Sequence, residues 1–326
     1  MSTLETASDV ARRPFSGRRA RFGDLILQGT AGFAALGATV LVGLIVYKIV
    51  EGARLSLSTF GLSFLTHVVW DPVHLKFGAE AFLFGTAVTS IGALVLATPL
   101  ALAVALFLSE LSPNWLRGPV TALVETLAAI PSVVIGLWGI IVLAPFLLGH
   151  IDPALHSALG FIPLFGQATY ASNVFAAIVV LTIMILPIIA SISRELFLGV
   201  PHELKEGALA LGATRWEMVR GVVLPYARGG VAAAMILGFG RAIGEAIAVQ
   251  QVIGGFTGTS ISWNLFSPGE TLGSKLAANY QGASSGLELS SLIYLALILL
   301  VFSLLVNIVA QVVVRRSARK QGISAR

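Results

Sequence analysis

The stretch GFGRAIGEAIAVQQ, residues 238–251, sets Arg241 and Glu245 four positions apart in an otherwise apolar run. In a continuous helix that spacing puts both side chains on one face, one turn apart. Counted from Arg228, Arg241 lies about 20 Å along such a helix. A lone arginine at that depth costs at least about 2.5 kcal/mol in hydrocarbon, so it belongs in a bundle interior or a wet cavity. A guanidinium offers a planar fork to the oxygens of an oxyanion, and a carboxylate one turn away keeps such a site from holding its anion too tightly. The same two charges also describe a structural ion pair that fixes helix packing. A second anomaly is LVETLAAIPSVVIGLWG, residues 123–139, where Pro131 sits inside an apolar segment. A proline there kinks the helix and frees backbone groups that neighbours, water or a passing anion must satisfy. Glu125 and Ser132 flank it. Glu125 is a candidate pathway or gating residue, with pairing to a basic group as its plainer role. Ser132 is a candidate on the same path, or a hydroxyl that re-satisfies the kinked backbone.

Other chemistries lack their residues. There is no cysteine, which excludes thiolate catalysis and cysteine-bound metal. The five histidines, His67, His74, His150, His156 and His202, show no zinc-ligand spacing. GASSG at 282–286 matches G-x-S-x-G in letters only, since a nucleophile elbow needs a strand before it and a helix after it. Gly238, Gly240 and Gly244 read G-x-G-x-x-x-G with no preceding strand, so Gly240 and Gly244 are read as a small-xxx-small pair packed on a facing helix, of this chain or of a partner chain. No catalytic residue, metal site or cofactor is expected in this chain. An enzyme is therefore excluded.

The elements that position these residues follow from composition. The chain has 326 residues, 56% hydrophobic and 11% charged, far fewer charges than the roughly one quarter typical of soluble domains. Apolar runs at about 25–49, 81–108, 120–148, 173–193, 227–251 and 288–314 are each long enough to cross a hydrocarbon core of about 30 Å. The expected fold is an all-α membrane protein with six transmembrane helices. Basic residues gather at both ends: Arg12, Arg13, Arg18, Arg19 and Arg21 in segment 1–24, and Arg315, Arg316, Arg319, Lys320 and Arg326 in tail 315–326. With Arg117, Arg194, Lys205, Arg215, Arg220 and Arg228 in the intervening inner loops, they place both termini in the cytoplasm. That placement reads as membrane topology rather than nucleic-acid binding. The first span, with its outer loop to residue 80, precedes a core of 81–314.

One inner loop, VPHELKEGALALGATRWEMVRGVVLP (200–225), carries its own structural signals. Pro201 suits a helix start, Glu203 and Glu206 oppose the positive end of the dipole, and Gly212 fits a C-terminal cap. Thr214 and Glu217 have capping-box spacing, which starts a second helix at once. Leu204, Ala208 and Leu211 fall on one side of the helix at about 201–211, a stripe that needs either a partner or the membrane surface.

EGALALGATRWEMVRGVVLP resembles the EAA loop of ABC importer permeases. Glu206, Gly207, Ala208, Gly212, Val222, Leu224 and Pro225 take its places, with Gly207 where alanine is usual. The stretches at 82–111, 123–139, 238–249 and 264–277 are similar to the phosphate-specific (PstC-type) branch of that family. The resemblance implies a type I importer permease fold with a cytoplasmic coupling helix, in the bacterial inner membrane. It also implies partners: a homologous second permease (PstA-type), an ATPase dimer (PstB-type) holding ATP and Mg, an external phosphate-binding protein (PstS-type), and inorganic phosphate as cargo. Glu203, Glu206, Gly207, Ala208 and Gly212 would form the coupling joint. The chain itself has no G-x-x-x-x-G-K-[ST] loop. A permease for sulfate or molybdate is the nearest alternative, and an ion-coupled secondary transporter the more distant one.

Overall fold

The structure is a computed structural model describing residues 18–255, 261–284 and 286–319. The basic clusters at both ends fall outside the described residues or have side chains that do. Ten helices carry the architecture described here: α1 (Arg18–Phe60), α2 (Glu80–Leu111), α3 (Asn114–Ala129), α4 (Ser132–Leu159), α5 (Val174–Leu198), α6 (His202–Ala210), α7 (Arg215–Gly244), α8 (Ile247–Val252), α9 (Leu272–Asn279) and α10 (Gly286–Arg319). Six of the helical stretches are long and apolar enough to cross a membrane: Phe22–Leu65, Glu80–Leu111, Ser132–Leu159, Val174–Leu198, Arg215–Gly244 and Gly286–Val312.

The chain divides into two compact units, Met1–Glu51 and Gly52–Arg326. The first is represented by the greater part of α1, whose Phe33, Leu36 and Leu41 are exposed, as lipid contact allows. In the second unit, α5 is the most deeply buried helix, and α2 lies along it. Small residues make that approach possible. Ala81, Gly85, Thr89, Ala93, Ala97, Ala101 and Ala105 repeat every four residues along α2, and all are buried. Small residues let backbones come close where lipid offers no hydrophobic driving force: Ala93, Ala97 and Ala101 pack with α5, while Gly85 lies against the Glu270 carbonyl. A methyl at Gly92 would lie 2.8 Å from Ile178 Cδ1 on α5. Hydroxyls inside α2 bond their own turn, Thr89 to Gly85 O and Ser90 to Thr86 O, which satisfies them without a partner helix, whereas the buried Thr98 hydroxyl has no hydrogen bond among the described residues.

Polar contacts also tie the last turns of α1 to α10. Ser56 N–H donates to Ser290 Oγ at 2.9 Å, and Ser290 Oγ donates to Gly52 O at 2.8 Å. The loop between α1 and α2 turns at Asp71, as Trp70, Asp71 and Pro72 suggest, with Asp71 and Lys76 exchanging backbone hydrogen bonds. A hydrogen bond from the His74 ring holds the Asp71 carboxyl below the usual carboxylate range. Beneath it, Lys275 of α9 pairs with Glu270 at 3.2 Å, with its ammonium over the rings of Trp70 and Phe82.

Two spans differ from expectation. The apolar run 120–148 is two helices, not one kinked helix. Ile130 takes ψ 128° and Pro131 ψ 137°, so α3 stops and α4 starts at Ser132. Proline disfavours α geometry in the residue before it, and here that preference breaks the helix outright. The run 227–251 is also broken. α7 ends at Gly244, Glu245 is extended at φ −72° and ψ 121°, and α8 begins at Ile247.

Candidate functional site

The break in the fifth span separates the two charges that the sequence places one turn apart. Arg241 sits in the last turn of α7, while Glu245 lies beyond its end. No hydrogen bond or ion pair joins them among the described residues. Instead the Ala248 N–H donates to Glu245 Oε1 at 3.3 Å, so the carboxylate stands at the start of α8. Each charge thus sits at the helix end whose dipole favours it: cation at the C-terminal end, anion at the N-terminal end. Arg241 is exposed on this chain and Glu245 half-buried. With its carboxylate neighbour engaged elsewhere, the Arg241 guanidinium makes no hydrogen bond or ion pair among the described residues, which leaves its donors for another group.

The structure brings together two anomalies that the sequence presents separately. α4, which opens at Ser132 after the break at Pro131, packs against α8, which opens after the break at Glu245. Glycines allow it. A methyl at Gly136 would lie 2.7 Å from Ala248 Cα, and one at Gly139 would lie 2.9 Å from Val252 Cγ1. Gln251, which sequence reasoning missed, comes to this contact with its Oε1 buried and unpaired. Its signal was a polar amide closing an apolar run. The Ser132 hydroxyl makes no hydrogen bond among the described residues; the freed Pro131 carbonyl is bonded by Val134 and Ile135 N–H groups instead.

Glu125 is exposed on α3 and lines a cleft of about 180 Å³ with Thr121, Ser191, Arg194 and Glu195. Arg194 pairs with the adjacent Glu195 at 2.5 Å, and Glu125 forms no ion pair among the described residues. It is therefore not the buried partner of a basic group within this chain.

The glycine pair Gly240 and Gly244 has no close helix contact within the described residues of this chain. A methyl at Gly240 would rest at ordinary distance from Asn307, and one at Gly244 would meet open space. Close approach within the chain occurs at Gly230 and Gly238, whose added methyls would fall 2.6 Å from Leu196 Cδ1 and 2.9 Å from Ile189 Cδ1. The α7–α5 contact therefore uses a spacing of two turns rather than one.

The loop 201–218 takes the form its residues dictate. Pro201 precedes α6, and Gly212 adopts φ +86°. Ala213 N–H donates to Ala208 O and Gly212 N–H to Leu209 O, the paired bonds of a Schellman ending. Thr214 N–H donates to Glu217 Oε2 at 2.7 Å, and Glu217 N–H returns a bond to Thr214 Oγ1. Glu203, Glu206 and Gly207 are exposed. An added methyl at Gly207 would meet nothing within 4 Å, so this chain itself sets no limit on bulk there. The apolar stripe divides: Ala208 packs inward, while Leu204 at 47%, Leu209 at 42% and Leu211 at 91% stay exposed. Sequence reasoning missed what anchors α6. Lys205 is buried, and its ammonium donates to Glu110 Oε1 at 2.6 Å and Phe197 O at 3.0 Å. The ninety-five residues between Lys205 and Glu110 hid that contact.

Comparisons with known proteins bear on both regions. The profile described as "Binding-protein-dependent transport system inner membrane component" matches residues 97–319. A "Phosphate transport system permease protein PstC" of Mesorhizobium japonicum is 40% identical over 99% of this chain and 100% of its own. A protein of the same description from Pasteurella multocida is 40% identical over 92% and 94%, and one from Xylella fastidiosa 37% over 98% and 97%. Among solved structures, a chain of a bacterial ABC transporter involved in the import of the acidic polysaccharide alginate aligns with TM-score 0.58. It covers 91% of this chain and 99% of its own at 17% identity. A chain of the MetNI methionine ABC transporter aligns with TM-score 0.53, covering 72% and 94% at 21% identity. At these identities the structures show a shared fold, that of the ABC importer permeases.

Proposed function

The chain belongs to the family of binding-protein-dependent transport system inner membrane components, and from that premise we propose that it is a permease subunit of an ATP-driven phosphate importer. The observation that carries the reading is near-full-length similarity, at 40% identity, to phosphate permeases. A second permease completes the pathway, an external binding protein delivers phosphate, and an ATPase dimer works from the cytoplasm. Both termini face the cytoplasm, because the basic residues cluster at the ends and on the 200–225 side.

α6 is the docking element for the ATPase. Its exposed Leu204, Leu209 and Leu211 present an apolar surface, and Glu203 and Glu206 ring it with charge. Gly207 and Gly212 leave room on that face, so any limit on bulk at Gly207 comes from the docked partner. Arg241 receives phosphate oxygens on its free guanidinium fork, at the end of a discontinuous span of the kind that lines substrate paths in transporters. Glu245, held at the start of α8, tempers the positive field and accepts a hydrogen bond from the O–H of monohydrogen phosphate, a donor that sulfate lacks at neutral pH. The contact of α4 with α8 sets Ser132 and Gln251 beside this region, while Glu125 lines a cleft toward the α3–α5 side.

Reconstitution into vesicles with a second permease, an ATPase and a phosphate-binding protein tests the reading through uptake of labelled phosphate. ATP-dependent accumulation, lost when the binding protein is left out, is the expected result. Equal uptake of sulfate, or uptake indifferent to ATP, would overturn it.

A further inference from the structure

Apart from Ala208, which packs on the cluster beneath it, α6 touches the spans through few side chains. All nine residues of α6 are described, and Lys205 alone is buried. Its flanks are short turns: Gly199 to Pro201 toward α5, and Leu211 to Ala213 toward α7. A rod held only by such turns pivots at its ends when pushed, and little of the push reaches the membrane helices. Lys205 removes that freedom. Its ammonium bonds Glu110 in the π-turn Phe107–Leu111 that ends α2, and also the carbonyl of Phe197 in the last turn of α5. Both side chains of the ion pair are about 10% exposed, so water and salt screen the contact poorly. The ends of α2 and α5 meet in one buried cluster through Ala105 and Phe197, so a load on Lys205 arrives at two packed spans at once. The buried cluster beneath, with Ala105, Phe197, Met218 and Val219, seats the start of α7 on the same spot. Arg215 adds a marginal 3.5 Å contact to the Glu110 carbonyl.

We propose that the Lys205–Glu110 ion pair is the strut that transmits movement of α6 to α2 and α5, making both residues positioning residues for transport. The inference rests on the functional reading above and says where the force passes. Neither residue touches cargo or nucleotide; they act by keeping the lever and the spans rigidly joined.

The test uses the complete reconstituted importer and reads phosphate moved per ATP hydrolysed, alongside the amount of ATPase that co-purifies. Lys205→Met keeps the apolar stem and removes the charge. The expected result is an intact complex that hydrolyses ATP within about twofold of wild type while phosphate per ATP falls by about tenfold, in the range of inter-site coupling. Lys205→Arg retains the ratio. Lys205→Glu and Glu110→Lys each lose it, and the double exchange recovers more than half. The strut is overturned if Lys205→Met keeps the wild-type ratio. It is overturned too if ATPase co-purification and both rates fall together, the mark of a residue that only holds the fold, or if the double exchange does no better than the singles. A wild-type complex that moves no phosphate would bring down the functional reading, and the strut with it.

Discussion

Residues 201–218 and residues 238–252 each interrupt a helix beside charged side chains, and the causes are opposite. In the first, every interruption has a local reason: Pro201, Gly212 at φ +86°, and the reciprocal bonds of Thr214 and Glu217. In the second, nothing local demands a stop. Two alanines, an isoleucine and a valine follow Glu245 at 246–249, and in isolation they would extend the helix. The break exists because α8 must lie against α4, where Gly136 and Gly139 admit it. Chain ends in water announce their caps, whereas inside an apolar layer a neighbouring helix can redirect the chain without any residue that advertises the turn.

The comparison can be broken at its strongest point first. Arg241→Ala removes the free guanidinium, and labelled phosphate uptake is expected to fall by roughly 100-fold, equivalent to about 2.7 kcal/mol, with the complex still assembled. Arg241→Lys recovers only part, since a point charge does not replace a bidentate fork. Uptake within about twofold of wild type in Arg241→Ala, well short of one tenfold step, would mean that this region, too, is purely architectural.

Next comes the lever. Gly212→Val forces a β-branched residue into left-handed backbone, at a cost above the roughly 1–2 kcal/mol of an ordinary residue, and uptake should fall by about tenfold or more. Gly212→Asn should be milder. Because an added methyl meets open space, the effect is conformational; equal activity of Val, Asn and Gly variants would show that the turn is not needed.

Two smaller effects sharpen the contrast. Gly238→Val should destabilise the isolated subunit by about 1–3 kcal/mol through crowding on Ile189, read as a lowered Tm in detergent. Gly244→Leu should leave that Tm unchanged and weaken only association with the second permease; a lowered subunit Tm would contradict the open space seen around Gly244. The smallest change is expected for Glu245→Gln. The amide carbonyl can still accept from Ala248 N–H, so Tm holds, and the readout is the phosphate-to-sulfate uptake ratio. An unaltered ratio would reduce Glu245 to a helix cap.

The helical class, the six apolar stretches and the caps and turns of loop 201–218 were legible in the chain because they depend on hydrophobic length and on contacts close along the chain. The Arg241–Glu245 pairing was not legible, since a spacing of four implies contact only while the helix continues. Pro131 signalled a disturbance at the right residue, but whether it would kink or stop the helix depended on where α3 and α4 pack.

By itself, then, the sequence determined what is local: which segments suit a bilayer, where a lever begins and ends in water, and that a cation lies deep in an apolar run. Tertiary structure alone decided that Glu245 turns away to serve α8, that α4 and α8 meet at their breaks, and that Lys205 reaches Glu110 across ninety-five residues. The reason is range. Caps and turns are worth their energy within one turn of helix, whereas a broken span or a buried ion pair is stable only when distant parts of the chain arrive to supply the contacts the backbone and the charges give up.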